Sequence, residues 1–349
     1  MKLFSWKRVS ESYSGNLKSK IENLKRAGLV AIVVTFALGG AAARAQQPTK
    51  VTQIGYIGAA SASAESARRE AFRQGLRELG YVEGKNMVID DRHAEGNLDR
   101  LPALAAELVR LKVDVIVTGG GNATRAAKAA TSTIPIVMTN DPDPVGSGFV
   151  ASLARPGGNI TGLSTFAPEL AGKRLEILRE VVPKLSRVAV LGTSTMPAYA
   201  QVIRELELAA KAFGVKLQYL DVLDSKDIET AFRAASKGRA DGVLTLTGAI
   251  LNPLRAQIVE LAAKNRLPAM YSDSLYVEAG GLMFYGVNLL DLDRPAATYV
   301  DKILKGRTPA DLPVEQPMKF EFIVNLQAAK KIGLTVPPNV LVRADKVIR

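Results

Sequence analysis

The chain has 349 residues, of which 47% are hydrophobic and 23% charged, and it contains no cysteine. Its length suggests two domains of ordinary size, and its composition is that of a globular protein that uses neither disulfide bonds nor thiolate metal sites. Residues 1–45 hold eight of the 46 basic residues but only two of the 34 acidic ones, so the net charge of +12 overstates the basicity of the remainder. There the two signs are interspersed, without the basic stripe and stacking aromatic residues that nucleic-acid binding needs.

The N-terminal segment has the layout of a secretory signal peptide. Lys25 and Arg26 form a positive flank, an apolar run covers residues 27–38, and the sequence Ala43-Arg44-Ala45 resembles a cleavage site. We therefore expect a signal peptide over residues 1–45, cleavage after Ala45 and a free periplasmic protein, since there is no cysteine to carry a lipid. A retained membrane anchor is the alternative, but the apolar run is shorter than the roughly 20 residues of a spanning helix.

After residue 50, β-rich runs alternate with stretches of helical period, which predicts an α/β protein. The first series has strands at 51–57, 86–90, 113–117 and 134–138 and helices at 65–79, 101–111 and 123–131. A Gly/Pro break follows at 155–159. The second series has helices at 170–182, 199–213, 228–236, 254–265 and 292–304 and strands at 187–191, 216–220, 242–247, 268–271 and 282–285. We predict two doubly wound, Rossmann-like lobes built on parallel sheets.

Polar residues just after predicted strands are the candidates for ligand binding, because ligands of open parallel sheets bind beyond the carboxyl ends of the strands. The first lobe contributes Ser61, Asn122, Asn140 and Asp141, and the second contributes Tyr199, Thr247, Tyr271 and Asp273. Their hydroxyl, amide and carboxylate groups suit a small polar solute.

Each kind of candidate also has a purely structural interpretation. Asn122 could present a helix N-terminus to a ligand carboxylate, or it could simply cap that helix. Asp141 and Asp273 could each hold an ammonium group or cap the turn that follows. The tyrosines could stack on a planar ligand or pack in the core.

Catalytic and metal-binding patterns are missing from the sequence. His93 is the only histidine, which excludes a His/Cys metal site, and its charged surroundings at 90–96 predict a surface loop. Gly119-Gly120-Gly121 follows a strand, but its spacing matches neither a dinucleotide-binding nor a P-loop fingerprint. No nucleophile elbow or zinc-protease motif occurs. We therefore expect no enzyme activity, no cofactor and no metal.

Longer segments carry a family resemblance over nearly all of residues 51–349. They include GLRELGYVEGKNMVID, DPVGSGFVASLARPGGNITGLS, LAGKRLEILREVVPKLSRVAVL and YVEAGGLMFYGVN. In these segments the chain resembles the substrate-binding components of bacterial ABC importers, in the tryptophan- and tyrosine-like uptake branch. The resemblance implies a type I periplasmic binding fold with three hinge crossings. Its N-terminal lobe would comprise residues 46–162 and 287–320, and its C-terminal lobe residues 163–286 and 321–349.

The resemblance also implies a function. We expect a monomeric periplasmic receptor that closes on a small polar solute, such as an amino acid or an aromatic or carboxylate compound, and delivers it to a membrane permease. Nucleic acid is not an expected partner. Two alternatives remain open: an exported sensor that presents the same ligand to a membrane receptor, and an enzyme on this fold. Genes for a permease and an ATPase beside this one would favour import, and turnover of a bound compound would favour the enzyme.

Overall fold

The strands between residues 51 and 349 form two separate sheets, one of five strands and one of seven. The computed structural model describes residues 51–349, so the predicted signal peptide lies outside the described residues. In chain order, the helices are α1 (Ser66–Glu78), α2 (Leu101–Arg110), α3 (Gly121–Ala130), α4 (Ala167–Val181), α5 (Tyr199–Phe213), α6 (Asp227–Lys237), α7 (Arg255–Lys264), α8 (Leu275–Glu278), α9 (Leu290–Leu304), α10 (Leu326–Ile332) and α11 (Pro338–Leu341).

The first sheet has the strand order β2-β1-β3-β4-β5 and is parallel throughout. Its strands are β1 (Thr52–Gly58), β2 (Met87–His93), β3 (Val115–Gly119), β4 (Ile136–Asp141) and β5 (Ile160–Ser164). Every residue of β3 and β4 is buried, as expected for central strands covered on both faces. Phe72 of α1 and Val300 of α9 pack on one face, and Leu108 of α2 packs on the other.

The second sheet has the order β12-β11-β10-β9-β8-β6-β7. Its strands are β6 (Arg187–Gly192), β7 (Lys216–Asp221), β8 (Gly242–Thr245), β9 (Ala269–Tyr271), β10 (Met283–Gly286), β11 (Glu321–Asn325) and β12 (Lys346–Ile348). Neighbours are parallel except for β10 and β11. Successive residues of β6 point to opposite faces: Val190 packs with α4 and α5, and Leu191 packs with α6 and α7.

The chain passes between the two sheets three times. The first passage lies between β5 and β6 and the second between β10 and α9, which packs on α1 and β4. The third precedes β11: Thr161 donates a hydrogen bond of 2.6 Å to the Leu312 carbonyl in the first lobe, whereas β11 belongs to the second sheet. The predicted α/β architecture of two lobes is confirmed.

Two local predictions are wrong. His93 does not lie in a surface loop, because it ends β2 with a side chain that is only 7% exposed. β2 is the edge strand of its sheet, where charged residues are tolerated, so its sequence looks like that of a loop. Asn122 is not a helix cap, because α3 begins at Gly121 and Gly120 precedes it as the cap.

Several short elements of the described residues were not predicted from the sequence, namely β5, α8, β11, α10, α11 and β12. None of the helices between residues 51 and 349 is both long enough and apolar enough to cross a membrane.

Candidate ligand-binding cleft

A cleft between the two sheets collects side chains from both lobes at the carboxyl ends of the strands. The cleft opens to solvent, and the space free of protein atoms within it is about 850 Å³ with that solvent included. Four of the eight predicted ligand-binding residues line it: Asn122 and Asn140 from the first lobe, and Thr247 and Asp273 from the second.

Ser61 and Asp141 lie outside the cleft lining. The Ser61 hydroxyl lies 3.0 Å from the hydroxyl of Ser63 and accepts a hydrogen bond from the Ala64 N–H, so it shapes the turn before α1. Asp141 is fully buried at the end of β4, where its Oδ1 accepts a hydrogen bond from the Asp143 N–H at 3.1 Å. Burial raises the pKa of the Asp141 carboxyl to about 7. Contact of Ser61 and Asp141 with a ligand stays a prediction.

The two candidate tyrosines pack against the core of the second lobe and are likewise absent from the cleft lining. Tyr199 begins α5 and is half-buried against the apolar cluster under that helix. Tyr271 is 1% exposed and stacks on Tyr276 with the ring centroids 4.7 Å apart. Stacking of either ring on a ligand stays a prediction.

The first-lobe wall includes a glycine turn that leads from β3 into α3. Gly120 has a φ of 89°, a left-handed conformation that favours glycine, and this turn lets α3 begin at the cleft. Asn122 lies in the first turn of α3, whose leading N–H groups have no acceptors within the helix. This wall therefore offers an amide side chain and backbone donors to a polar solute.

Glu65 also lines this wall, and sequence analysis did not identify it. Gly58, Gly119 and His93 lie side by side across β1, β3 and β2, and the Glu65 carboxylate lies over them. A Cβ on Gly58 would lie 1.9 Å from Glu65 Oε2, and one on Gly119 would lie 3.5 Å from Oε1. The two glycines thus make room for the carboxylate, and glycines that end adjacent strands are the signal that could have located it.

Two further polar groups belong to the first lobe: Arg68, which lines the cleft, and the Tyr56 hydroxyl, which does not. The Tyr56 hydroxyl is buried beside Gly119, and burial raises its pKa well above the ordinary value, so it stays protonated. Arg68 lines the cleft and pairs with the buried Asp293, with Nε 2.6 Å from Oδ2 and Nη2 3.1 Å from Oδ1. Its Nη2 also donates to the Thr139 hydroxyl at 3.2 Å.

The second-lobe wall is built around Asp273, which follows β9. Its Oδ1 accepts a hydrogen bond from the Leu275 N–H, and its Oδ2 accepts one from Asn252 Nδ2, both at 3.0 Å. Asn252 and Arg255 also line the cleft. Burial lowers the pKa of Arg174 to about 10. Its guanidinium is therefore still charged at neutral pH, and this charge interacts favourably with the Asp273 carboxylate.

The two lobes also contact each other beside the cleft. Arg125 Nη1 of α3 donates to the Thr195 carbonyl at 3.2 Å, and Gln201 Nε2 of α5 donates to the Gly146 carbonyl at 2.7 Å. Both bonds join a first-lobe residue to a second-lobe residue.

The chemistry of the lining suits reversible binding. It consists of amides, hydroxyls, two arginines and two carboxylates together with small apolar residues. Within residues 51–349, no group of three His, Asp or Glu side chains could hold a metal ion.

The sequence model of the family described as ABC transporter substrate binding protein matches residues 53–348. The chain belongs to this family. It is 27% identical over 267 residues to a tyrosine-binding protein of Clostridioides difficile, an alignment that covers 76% of each chain. The family and this relative are substrate-binding proteins, which confirms the expectation of binding rather than catalysis and the predicted membership of the tryptophan/tyrosine branch.

Solved structures place this substrate-binding protein among two-lobed relatives. A conserved domain protein of Vibrio cholerae is 29% identical, with a TM-score of 0.81 over 85% of this chain and 100% of that one. A Streptococcus pneumoniae ABC domain in complex with L-Trp is 25% identical, with a TM-score of 0.78 over 84% of this chain and 100% of that one. The ligand-free, open form of a Clostridium difficile substrate-binding protein is 26% identical but has a TM-score of 0.63, over 86% and 99%.

Proposed function

We propose that this protein is the extracytoplasmic receptor of an ABC importer and that it binds an aromatic L-amino acid. The observation that carries the proposal is a cleft lined from both lobes in a chain that belongs to the substrate-binding family. The aromatic solute is supported by two relatives, one named for tyrosine and one solved with L-Trp.

Closure of the two lobes on the ligand is the proposed mechanism. At similar sequence identity, the protein superposes better on the L-Trp complex than on the open, ligand-free relative, which supports a closed arrangement of its lobes. A ligand that touches both walls binds this arrangement more tightly than an open one, and it shifts the equilibrium by that difference in affinity. The moving bodies would be residues 46–162 with 287–320 and residues 163–286 with 321–349.

A thermal-shift screen tests the proposed solute. The purified protein is heated with each of the twenty L-amino acids and with purines, sugars and short carboxylates, because a ligand that binds the folded state raises the melting temperature by mass action. We expect L-tyrosine, L-tryptophan or L-phenylalanine to give the largest shift. A larger shift with a sugar or a purine would overturn the aromatic assignment.

Export and delivery need separate tests. We propose cleavage after Ala45, a periplasmic monomer and transfer of the solute to a membrane permease. N-terminal sequencing of the protein from a periplasmic extract should begin at Gln46. Uptake of the radiolabelled solute should fall when the gene is deleted, and uptake that does not change would favour a sensor over an importer.

A further inference from the structure

One buried carboxylate oxygen in the cleft wall has no hydrogen-bond donor. Glu65 lines the cleft and is 5% exposed, and its Oε2 receives no hydrogen bond from any residue between 51 and 349. A buried, ionised oxygen without a donor is costly. Glu65 Oε2 is therefore an unsatisfied acceptor in the cleft wall, and a bound ligand would supply the donor that it lacks.

The neighbouring His93 lies close to Glu65 without a hydrogen bond to it. Arg69 Nη1 lies 2.8 Å from His93 Nε2, and a guanidinium only donates, so Nε2 is the acceptor and carries no proton. The ring proton of His93 is therefore on Nδ1. That atom lies 3.2 Å from Glu65 Oε2, without the alignment of a hydrogen bond.

The nearby arginines are bonded to other carboxylates. Arg68 forms its bidentate pair with Asp293, and Arg73 Nη2 lies 2.9 Å from Asp91 Oδ2. In the described part of the chain, Glu65 is thus a carboxylate of the cleft wall without a bonded cation of its own.

Asp273, the carboxylate on the opposite wall, differs from Glu65 because its hydrogen-bond donors come from its own lobe. Both of its oxygens already accept hydrogen bonds, from the Leu275 N–H and from Asn252 Nδ2. These bonds fix the turn before α8, which is the capping role that the sequence left open for this residue. Each of its oxygens thus already has a donor within the lobe.

We propose that Glu65, and not Asp273, binds a primary ammonium group of the ligand. This inference rests on the proposed function and deepens it, since it assigns the amine end of the solute to the first lobe. An ammonium supplies both the missing donor and the missing positive charge, and bonds between such charged partners are the strong ones.

Paired ligands test this assignment by calorimetric titration at pH 7. L-tyrosine and L-tryptophan are compared with 3-(4-hydroxyphenyl)propanoate and indole-3-propanoate, which lack only the ammonium group. We expect Glu65→Gln to weaken binding of the amino acids about tenfold to a hundredfold and to change binding of the analogues less than about threefold. Asp273→Asn tests the competing assignment, and we expect it to retain the preference for the amino acids, since Asn252 can turn its amide to accept the new N–H.

The outcomes separate this inference from the proposed function. Amino-acid binding that Glu65→Gln does not change, or a preference lost in Asp273→Asn instead, overturns the inference and leaves the function standing. Equal weakening of both ligand types, as a purely structural role for Glu65 requires, also overturns it.

If only amines outside the aromatic amino acids bind, such as putrescine, and Glu65→Gln weakens them, the inference stands and the proposed solute does not. If no amine binds, both are overturned. Should Glu65→Gln fail to fold, Glu65→Asp must show the same selective loss.

Discussion

Arg68 and Asp293 form a bidentate ion pair that joins α1 to α9 beneath the cleft. Asp293 is 1% exposed and Arg68 is 18% exposed at their side chains. The two residues are 225 positions apart, and α9 reaches this place only after the chain has returned from the second lobe. The pair therefore holds the returning helix against the first lobe at the wall of the cleft.

Removing one partner of this pair should destabilise the protein strongly. Asp293→Ala leaves the Arg68 charge partly buried without compensation, and we expect it to lower the free energy of unfolding by about 3 kcal/mol, measured by urea denaturation. The exposed pair of Arg77 and Glu70 is the control, and Glu70→Ala should cost less than about 1 kcal/mol. Equal losses in the two variants would show that the buried pair does not fasten α9.

Much of the architecture was predictable because its signals are local. Short windows of sequence contain the strand and helix periods and the Gly/Pro break at residues 155–159. The rule that ligands bind beyond the carboxyl ends of strands then identified four residues that line the cleft, namely Asn122, Asn140, Thr247 and Asp273. The same rule does not tell which way a side chain points. Tyr271 ends a strand, but it packs into the core on Tyr276 instead of facing the cleft.

Glu65 was missed because its position at the cleft depends on strand register. It precedes α1 instead of following a strand, and its carboxylate lies over the strands only because Gly58, Gly119 and His93 align across the sheet. Those three residues are far apart in sequence. The error at His93 has a related cause, since nothing in a charged stretch distinguishes a loop from an edge strand.

Adding a methyl group at Gly58 should displace the Glu65 carboxylate. The new Cβ would lie 1.9 Å from Oε2, so the end of the flexible Glu65 side chain must move, and Gly58→Ala should lower the free energy of unfolding by about 1 kcal/mol, the low end of overpacking costs. It should also weaken amino-acid binding at least as much as Glu65→Gln does.

Two further variants check the cause of that effect. Gly158→Ala adds the same methyl group where nothing lies within 4 Å, so it should leave both stability and binding unchanged. Combining Gly58→Ala with Glu65→Ala removes the clashing side chain, and the pair should cost less stability than the sum of the two single variants. Simple additivity would mean that Gly58 and Glu65 do not compete for the same space.

Weakening a contact between the lobes should lower affinity without touching the ligand. Gln201→Ala removes the bond to the Gly146 carbonyl, which forms only when the lobes are close. We expect binding about two- to tenfold weaker, as for the loss of one hydrogen bond, and unchanged preference for the ammonium group. Gln74→Ala is the control, because Gln74 bonds only within α1. A Gln201→Ala variant that binds as tightly as the wild type would show that this contact does not contribute to closure.

The buried carboxyl of Asp141 should make the protein less stable as the pH rises. Burial raises its pKa to about 7 in the folded state, whereas in the unfolded chain it titrates near 3.9. Between these values the unfolded state binds fewer protons than the native state, so the free energy of unfolding falls with increasing pH and levels off above about pH 7.

Replacing Asp141 by asparagine should remove this dependence, because the amide stays neutral at every pH. The stability of Asp141→Asn relative to the wild type should rise by about 2 to 3 kcal/mol between pH 5 and pH 7, followed by urea denaturation at fixed ionic strength. Asp224→Asn is the comparison. The Ser225 hydroxyl lowers the pKa of Asp224, so this carboxyl is already ionised above pH 5 in both the folded and the unfolded chain. The difference in free energy of unfolding between Asp224→Asn and the wild type should therefore stay constant. If the difference in free energy of unfolding between Asp141→Asn and the wild type is also constant with pH, the Asp141 carboxyl loses its proton as readily in the folded protein as in the unfolded chain. Burial at the end of β4 would then not raise its pKa.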